Sequence, residues 1–248
     1  MIHVWCLHGF LGTGRDWDLL TSFFPPSSTV AFHGPDLLSS PGEIRSFPYW
    51  SKRFNFQAGK NRGINILIGY SLGGRLALHA LLEPSHPWAG AVIVSAHPGL
   101  PSPYERKERL ARDEEWARRF EEAPWEEILQ EWNAQPAFGG KPPALPRPEE
   151  DFSRPALAKA LRTWSLGRQE PLWDRLHRVR VPLLWITGGE DKTYTRLGEE
   201  ALRRLPSARG LVVPGAGHRV PWEAPEEFSG AVKDFLVPFL EAPSPHST

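Results

Sequence analysis

The sequence predicts an open α/β fold, a mostly parallel central sheet with helices on both faces, on three observations. Six short apolar runs are separated, for the most part, by stretches with helical character. Each run has the length of a buried parallel strand and falls well short of a membrane span. Glycine-rich turns carrying Ser71, Asp191 and His218 directly follow three of those runs, and open parallel sheets assemble their sites at the carboxyl ends of strands.

In chain order, Ile2 to Leu7 is the first predicted strand, ending in the turn His8-Gly9-Phe10-Leu11-Gly12. Thr29 to Phe32 is the second and stops at His33-Gly34-Pro35-Asp36. Ile64 to Ile68, Ala91 to Ser95, Leu183 to Thr187 and Leu211 to Val213 complete the set. Between residues 97 and 180 the strand signals vanish, and Arg, Glu and Trp recur at helical spacing. One domain is therefore expected, with residues 97–180 forming a helical cap inserted into a core of residues 1–96 and 181–248. Within the cap, residues 102 to 122 predict a helix with Leu110, Ala117 and Phe120 on one stripe, and Trp125 to Trp132 a second that stops before Pro136. Residues 153 to 163 and 171 to 178 predict further helices beyond a Pro-rich connector, Lys141 to Pro148, and the tail from Ala242 to Thr248 is expected to fray.

Of the 248 residues, 29 are Lys or Arg and 29 are Asp or Glu, so no global field draws the chain to nucleic acid or to an anionic membrane. Any anion site has to be local. Met1-Ile2-His3-Val4 lacks the basic and apolar pattern of a leader, which predicts a cytoplasmic protein with no membrane partner. Cys6, the single cysteine, sits in an apolar run and reads as a small buried hydrophobe. The histidines are scattered without ligand spacing, and neither a phosphate loop nor a dinucleotide fingerprint occurs, so no metal and no cofactor is expected. Oligomeric state is left open.

Gly69-Tyr70-Ser71-Leu72-Gly73 matches G-x-S-x-G, in which a serine occupies a strained turn between strand and helix. Its value comes from context, because it follows the apolar run at Ile64 and precedes a helix start at Gly74-Arg75-Leu76. A serine hydroxyl is a weak nucleophile or base at neutral pH, and needs an imidazole whose tautomer a carboxylate fixes. Gly188-Gly189-Glu190-Asp191 and Gly215-Ala216-Gly217-His218 supply both, downstream and in the order Ser, Asp, His that the α/β-hydrolase fold uses. Glu190 is the rival carboxylate, and only position in the loop favours Asp191. His8 is expected to shape the turn beside an oxyanion hole made by the backbone amides of Phe10 and Leu72. His97 either lines the pocket or packs.

These residues resemble the 2-succinyl-6-hydroxy-2,4-cyclohexadiene-1-carboxylate synthase family of menaquinone biosynthesis. The carriers are His8 to Gly12 with Asp16-Trp17, Gly69 to Arg75, Glu105-Arg106 through Arg109 to Asp113, Trp116-Ala117, Arg119-Phe120, Trp132, Gln135-Pro136, Phe138, Ser165 to Gly167, Gln169 and Ala216 to His218. The resemblance implies a lyase that eliminates pyruvate, with Ser71 and His218 as the base pair and Asp191 as orienter. It also implies Arg75, Arg109 and Arg154 as clamps for a small multi-carboxylate substrate, and Tyr70 and Trp132 as pocket lining. Residues 102 to 180 hold 12 arginines and three lysines, and guanidinium groups bind carboxylates through paired hydrogen bonds. The competing expectation is that most of them serve helix faces, through the i, i+4 pairs Glu108/Arg112, Glu114/Arg118 and Glu115/Arg119. Arg109 itself has Glu105 or Asp113 as a partner. The alternative activity is a serine hydrolase of esters or carbon–carbon bonds using the same triad.

Overall fold

A computed structural model of the chain describes residues 1–26 and 29–241; the tail from Ala242 lies outside them. Strands β1 (Ile2–Leu7), β2 (Val30–His33), β3 (Ile64–Tyr70), β4 (Trp88–Val94), β5 (Leu183–Gly188) and β6 (Ala208–Val213) form one sheet in the order β2-β1-β3-β4-β5-β6. All five pairings are parallel, with Cys6 opposite Ile68, Ile68 opposite Val92 and Ile93 opposite Trp185.

Successive strand residues point to opposite faces, and both faces are buried here. Leu67, Ile93 and Trp185 enter one apolar cluster, while Ile66, Ile68, Val92 and Ile186 enter the other. That two-sided burial is why the runs read as continuous apolar stretches. Cys6, 1 % exposed, is among the packed residues, and burial pushes its thiol pKa up. The predicted strands fall short mainly at their ends. β6 begins at Ala208, earlier than its apolar run, because it is the edge strand and exposes Arg209 and Gly210.

Helices α1 (Asp18–Ser22), α2 (Phe47–Ala58), α3 (Leu72–Leu81), α4 (Pro103–Glu122), α5 (Trp125–Asn133), α6 (Arg154–Thr163), α7 (Lys192–Leu202), α8 (Val220–Glu223) and α9 (Pro225–Glu241) complete the fold. None of them is long and apolar enough to cross a membrane. Between β4 and β5 the described chain has α4, α5 and α6 and no strand; the stretch expected as a helix at 171 to 178 is a tight 3-10 turn at Trp173–Arg178. Ser102 caps α4 by accepting the Glu105 amide, and Pro103 starts the helix where its missing N–H costs nothing. Of the predicted stripe, Ala117 and Phe120 are fully buried and Leu110 is half-buried.

The expected i, i+4 pairs give way to others. Arg118 pairs with Glu115, Arg119 reaches Glu127 and Glu131 of α5 at 3.1 and 2.7 Å, and Glu114 is taken by Arg162 of α6 at 3.0 Å. Helices packed side by side offer carboxylates across the groove, which take Arg119 and Glu114, while Arg118 and Arg109 keep partners on α4 itself. Lys141 holds the Pro-rich connector down through Glu190 (2.8 Å) and Glu223 (2.6 Å). Arg147, at the other end of that connector, makes two 2.7 Å bonds to the buried carboxylate of Asp16.

Candidate active site

Ser71 sits between β3 and α3 with φ 52° and ψ −110°, a backbone conformation that costs a non-glycine residue about 1–3 kcal/mol. The surroundings enforce it. A Cβ on Gly73 would lie 2.2 Å from the Leu7 carbonyl oxygen, and one on Gly69 2.6 Å from that of Gly73. Only glycine lets strand and helix close to that distance, and the Ser71 amide is anchored to the Val94 carbonyl at 2.9 Å.

Three side chains distant in sequence converge here. His218 Nε2 lies 3.1 Å from Ser71 Oγ, and His218 Nδ1 lies 2.7 Å from Asp191 Oδ2. With Nδ1–H donating to the carboxylate, Nε2 is left to accept the serine proton. Asp191 is positioned twice over, since its Oδ1 accepts the Tyr194 amide at 3.1 Å and so caps α7. Glu190 points away to Lys141, so the carboxylate in reach of the imidazole is that of Asp191. Glu223 shapes the histidine loop by accepting the Gly217 and Arg219 amides at 2.7 and 3.1 Å. Burial pushes its pKa up, but Lys141 and those two amides outweigh burial and hold it below the usual carboxylate range. His218 is 3 % exposed and is flanked by the rings of Tyr194, Tyr70 and Phe138 at 4.4, 5.6 and 5.9 Å.

His8 is completely buried; its Nε2 accepts the Leu37 amide at 2.9 Å while Nδ1–H donates to the Gly9 carbonyl at 2.8 Å. Burial holds it below the usual imidazole range, hence neutral. It thereby fixes the turn that carries Phe10. Among the described residues neither the Phe10 nor the Leu72 amide is engaged by another group of the protein.

Two hollows meet at the site. Ser71, Phe10, Tyr70, Trp132, Asn133 and Phe138 line one, together with Arg147 and Arg219. Arg109, His97, Trp132, Phe138, Asp191 and Tyr194 are among the residues lining the other. Trp132 and Phe138 form the shared wall. Arg109 faces the second hollow with Nε 2.7 Å from Asp113. His97 also belongs there, its pKa pushed down to about 3 by burial and then by the charges of Arg75 and Arg109.

Arg75 is buried beneath the site and donates to Gln169 Oε1 at 2.6 Å and to the Trp164 carbonyl at 2.7 Å; it lines neither hollow. Burial, with Arg109 adding to it, pushes its guanidinium below the usual range. Arg154 is not brought to the site. It donates to Glu149 at 2.6 Å and to the Phe120 and Ala123 carbonyls at 3.2 and 2.7 Å, and lies over the Trp125 ring. Sequence reasoning missed Arg147, Arg219 and Tyr194. Adjacency to His218 was a usable signal for Arg219, whereas nothing in the Pro-rich connector singles out Arg147. Among the described residues no group of three or more His, Cys, Asp or Glu side chains is placed to hold a metal ion.

Residues 6–231 match the pattern of the Alpha/beta hydrolase family. The chain is 33% identical over 242 residues to the 2-succinyl-6-hydroxy-2,4-cyclohexadiene-1-carboxylate synthase of Serratia proteamaculans, covering 94% of this chain and 92% of that one. The putative enzyme of the same name from Bacillus subtilis is 31% identical, with 94% and 89% covered. Among solved structures, MenH from S. aureus superposes with a TM-score of 0.86 at 24% identity, covering 96% of this chain and 94% of that one.

Proposed function

The chain belongs to the 2-succinyl-6-hydroxy-2,4-cyclohexadiene-1-carboxylate synthases of the α/β-hydrolase family, and from that premise we propose that it eliminates pyruvate from 2-succinyl-5-enolpyruvyl-6-hydroxy-3-cyclohexene-1-carboxylate. The observation that carries this reading is the Ser71–His218–Asp191 relay, at 3.1 and 2.7 Å, opening on a hollow lined by guanidinium groups.

The bonds follow from the two names. The ring hydrogen on the succinyl-bearing carbon is acidified by the adjacent ketone, and Ser71 Oγ removes it while its own proton passes to His218 Nε2. The electron pair shifts the ring double bond, a second forms, and the carbon–oxygen bond to the enolpyruvyl group breaks. The departing enolate takes a proton to become pyruvate, and no water is consumed. Asp191 stabilises the imidazolium, and such base assistance contributes about 10²–10⁴ in rate. The amides of Phe10 and Leu72 are positioned to hold the developing oxyanion. Arg109 and Arg75 supply positive charge to the substrate's carboxylates, Arg75 from beneath, and Tyr70 and Trp132 line the cavity. We read the enzyme as cytoplasmic, acting on a small multi-carboxylate substrate without nucleic acid, membrane or cofactor.

The test is pyruvate release from that substrate by purified protein, run beside hydrolysis of short p-nitrophenyl esters. Turnover of the first at least 100-fold more efficient than of the second is expected. Efficient ester hydrolysis with no pyruvate overturns the proposal in favour of a serine hydrolase.

A further inference from the structure

We propose that Arg219 is a substrate-binding residue that takes one carboxylate of a multi-carboxylate ligand in the serine-side hollow, a reading that rests on the activity proposed above. The residue directly follows His218, and its side chain lines the same hollow as Ser71 and Phe10. It is only 9 % exposed. Its hydrogen bonds go to neutral groups, the Pro142 carbonyl at 2.9 Å, the amide oxygen of Asn133 and the Tyr70 hydroxyl.

The neighbouring charges explain why Arg219 differs from the other arginines. Arg147, in the same hollow, is neutralised by Asp16 through two 2.7 Å bonds. Arg109, across the Trp132–Phe138 wall, has Asp113. Glu223 is the acidic group nearest in sequence, and its oxygens are occupied by Lys141 and two backbone amides. Among the described residues no carboxylate is paired directly with Arg219, a buried cation that Glu223 supports only from a distance. Burial lowers its pKa, with Tyr70 and Glu223 opposing. A buried guanidinium without a counter-ion is costly unless something else supplies the negative charge.

The chemistry selects a carboxylate. The bonds to Pro142 and Asn133 use one N–H on each terminal nitrogen, and a guanidinium carries five. The Phe138 ring, 3.9 Å from the guanidinium carbon, holds the plane flat, and a planar fork matches a carboxylate with two parallel bonds. Phe138 also packs against His218, so an anion held there lies beside the relay. With Arg109 on the far side of the wall, the site has cations at both ends for a ligand bearing separated carboxylates.

The test uses the full chain carrying Arg219→Gln and, separately, Arg219→Lys, with kinetics of pyruvate release and citrate titration followed by tryptophan fluorescence. Arg219→Gln is expected to raise KM about 30-fold or more with kcat within about fivefold, to weaken citrate at least tenfold, and to melt near the wild-type temperature. Arg219→Lys recovers part of the loss. Should Arg219→Gln fail to fold, Arg219→Lys decides alone: KM raised about tenfold supports the assignment, and unchanged KM and citrate affinity overturn it. A folded Arg219→Gln with wild-type KM and citrate affinity overturns it while leaving pyruvate elimination intact. Wild-type protein that releases no pyruvate but binds citrate through Arg219 instead removes the substrate reading and keeps the anion site.

Discussion

Ser71, Asp191 and His218 hang from the carboxyl ends of hydrogen-bonded parallel strands, whereas the helices and connector between β4 and β5 are tied to their surroundings largely through side-chain ion pairs. On the sheet side the positions are fixed by backbone: the close glycine contacts under Ser71, the amide cap on Asp191 and the two amides held by Glu223. On the helical side, Arg162 and Arg119 grip partly exposed carboxylates on facing helices, and Lys141 and Arg147 pin the connector. The partly exposed pairs of Arg119 and Arg162 contribute about 0–1 kcal/mol each and weaken with salt. Ser71, Asp191 and His218, with Arg75 and Arg219 beside them, therefore sit on a rigid frame, and Arg109 and Trp132 on a part held by many small electrostatic contributions.

That contrast is most severely strained at Asp16, where the two parts meet through a buried pair. Asp16→Asn leaves the Arg147 guanidinium without its counter-charge. A broken buried pair costs about 3–5 kcal/mol, and since Arg147 is 17% exposed we expect about 2–3 kcal/mol, measured by urea unfolding. A loss below about 0.5 kcal/mol would show that the pair is no tie.

Acid sharpens the distinction. The imidazoles of His79 and His97 are pushed down to about 3, by burial first and then by Arg75, whereas in the unfolded chain they titrate near 6.5. Below pH 6.5 the unfolded chain binds protons that the folded one refuses. Stability is complete above 6.5 and is lost as pH falls toward 3, by about 1.4 kcal/mol per pH unit for buried His79 and less for half-buried His97. Glu121, whose bond to Arg162 holds its pKa below the usual range, titrates only at lower pH, so the buried histidines fail first. Urea melts at pH 7 and 5.5 check this, and His79→Leu should flatten the slope.

At the weak end, Arg118→Ala removes an exposed pair with Glu115 and should shift stability by no more than about 0.5 kcal/mol. A larger shift would mean that the helical surface pairs act as a network.

The frame was legible in the sequence because buried parallel strands leave apolar runs and because the three site turns each end one. Asp191 was separable from Glu190 only weakly there; the structure separates them by giving one the imidazole and the other Lys141. The arginines were less legible, since charge spacing on one helix does not reveal a carboxylate on the next. Arg154 therefore turns to the Phe120 and Ala123 carbonyls, and Arg75 packs below the site on Gln169 and Trp164. Arg219 escaped notice because the neutrality of its partners, Pro142 and Asn133, is a fact of three-dimensional packing.

The account stands on proton removal by Ser71 through His218. Initial rates of pyruvate release by Ser71→Ala, with folding verified by its melting temperature, test it most directly. A fall of about 10³ or more is expected, as for members of a cooperating unit, and a variant that stays within about tenfold of wild type would contradict it.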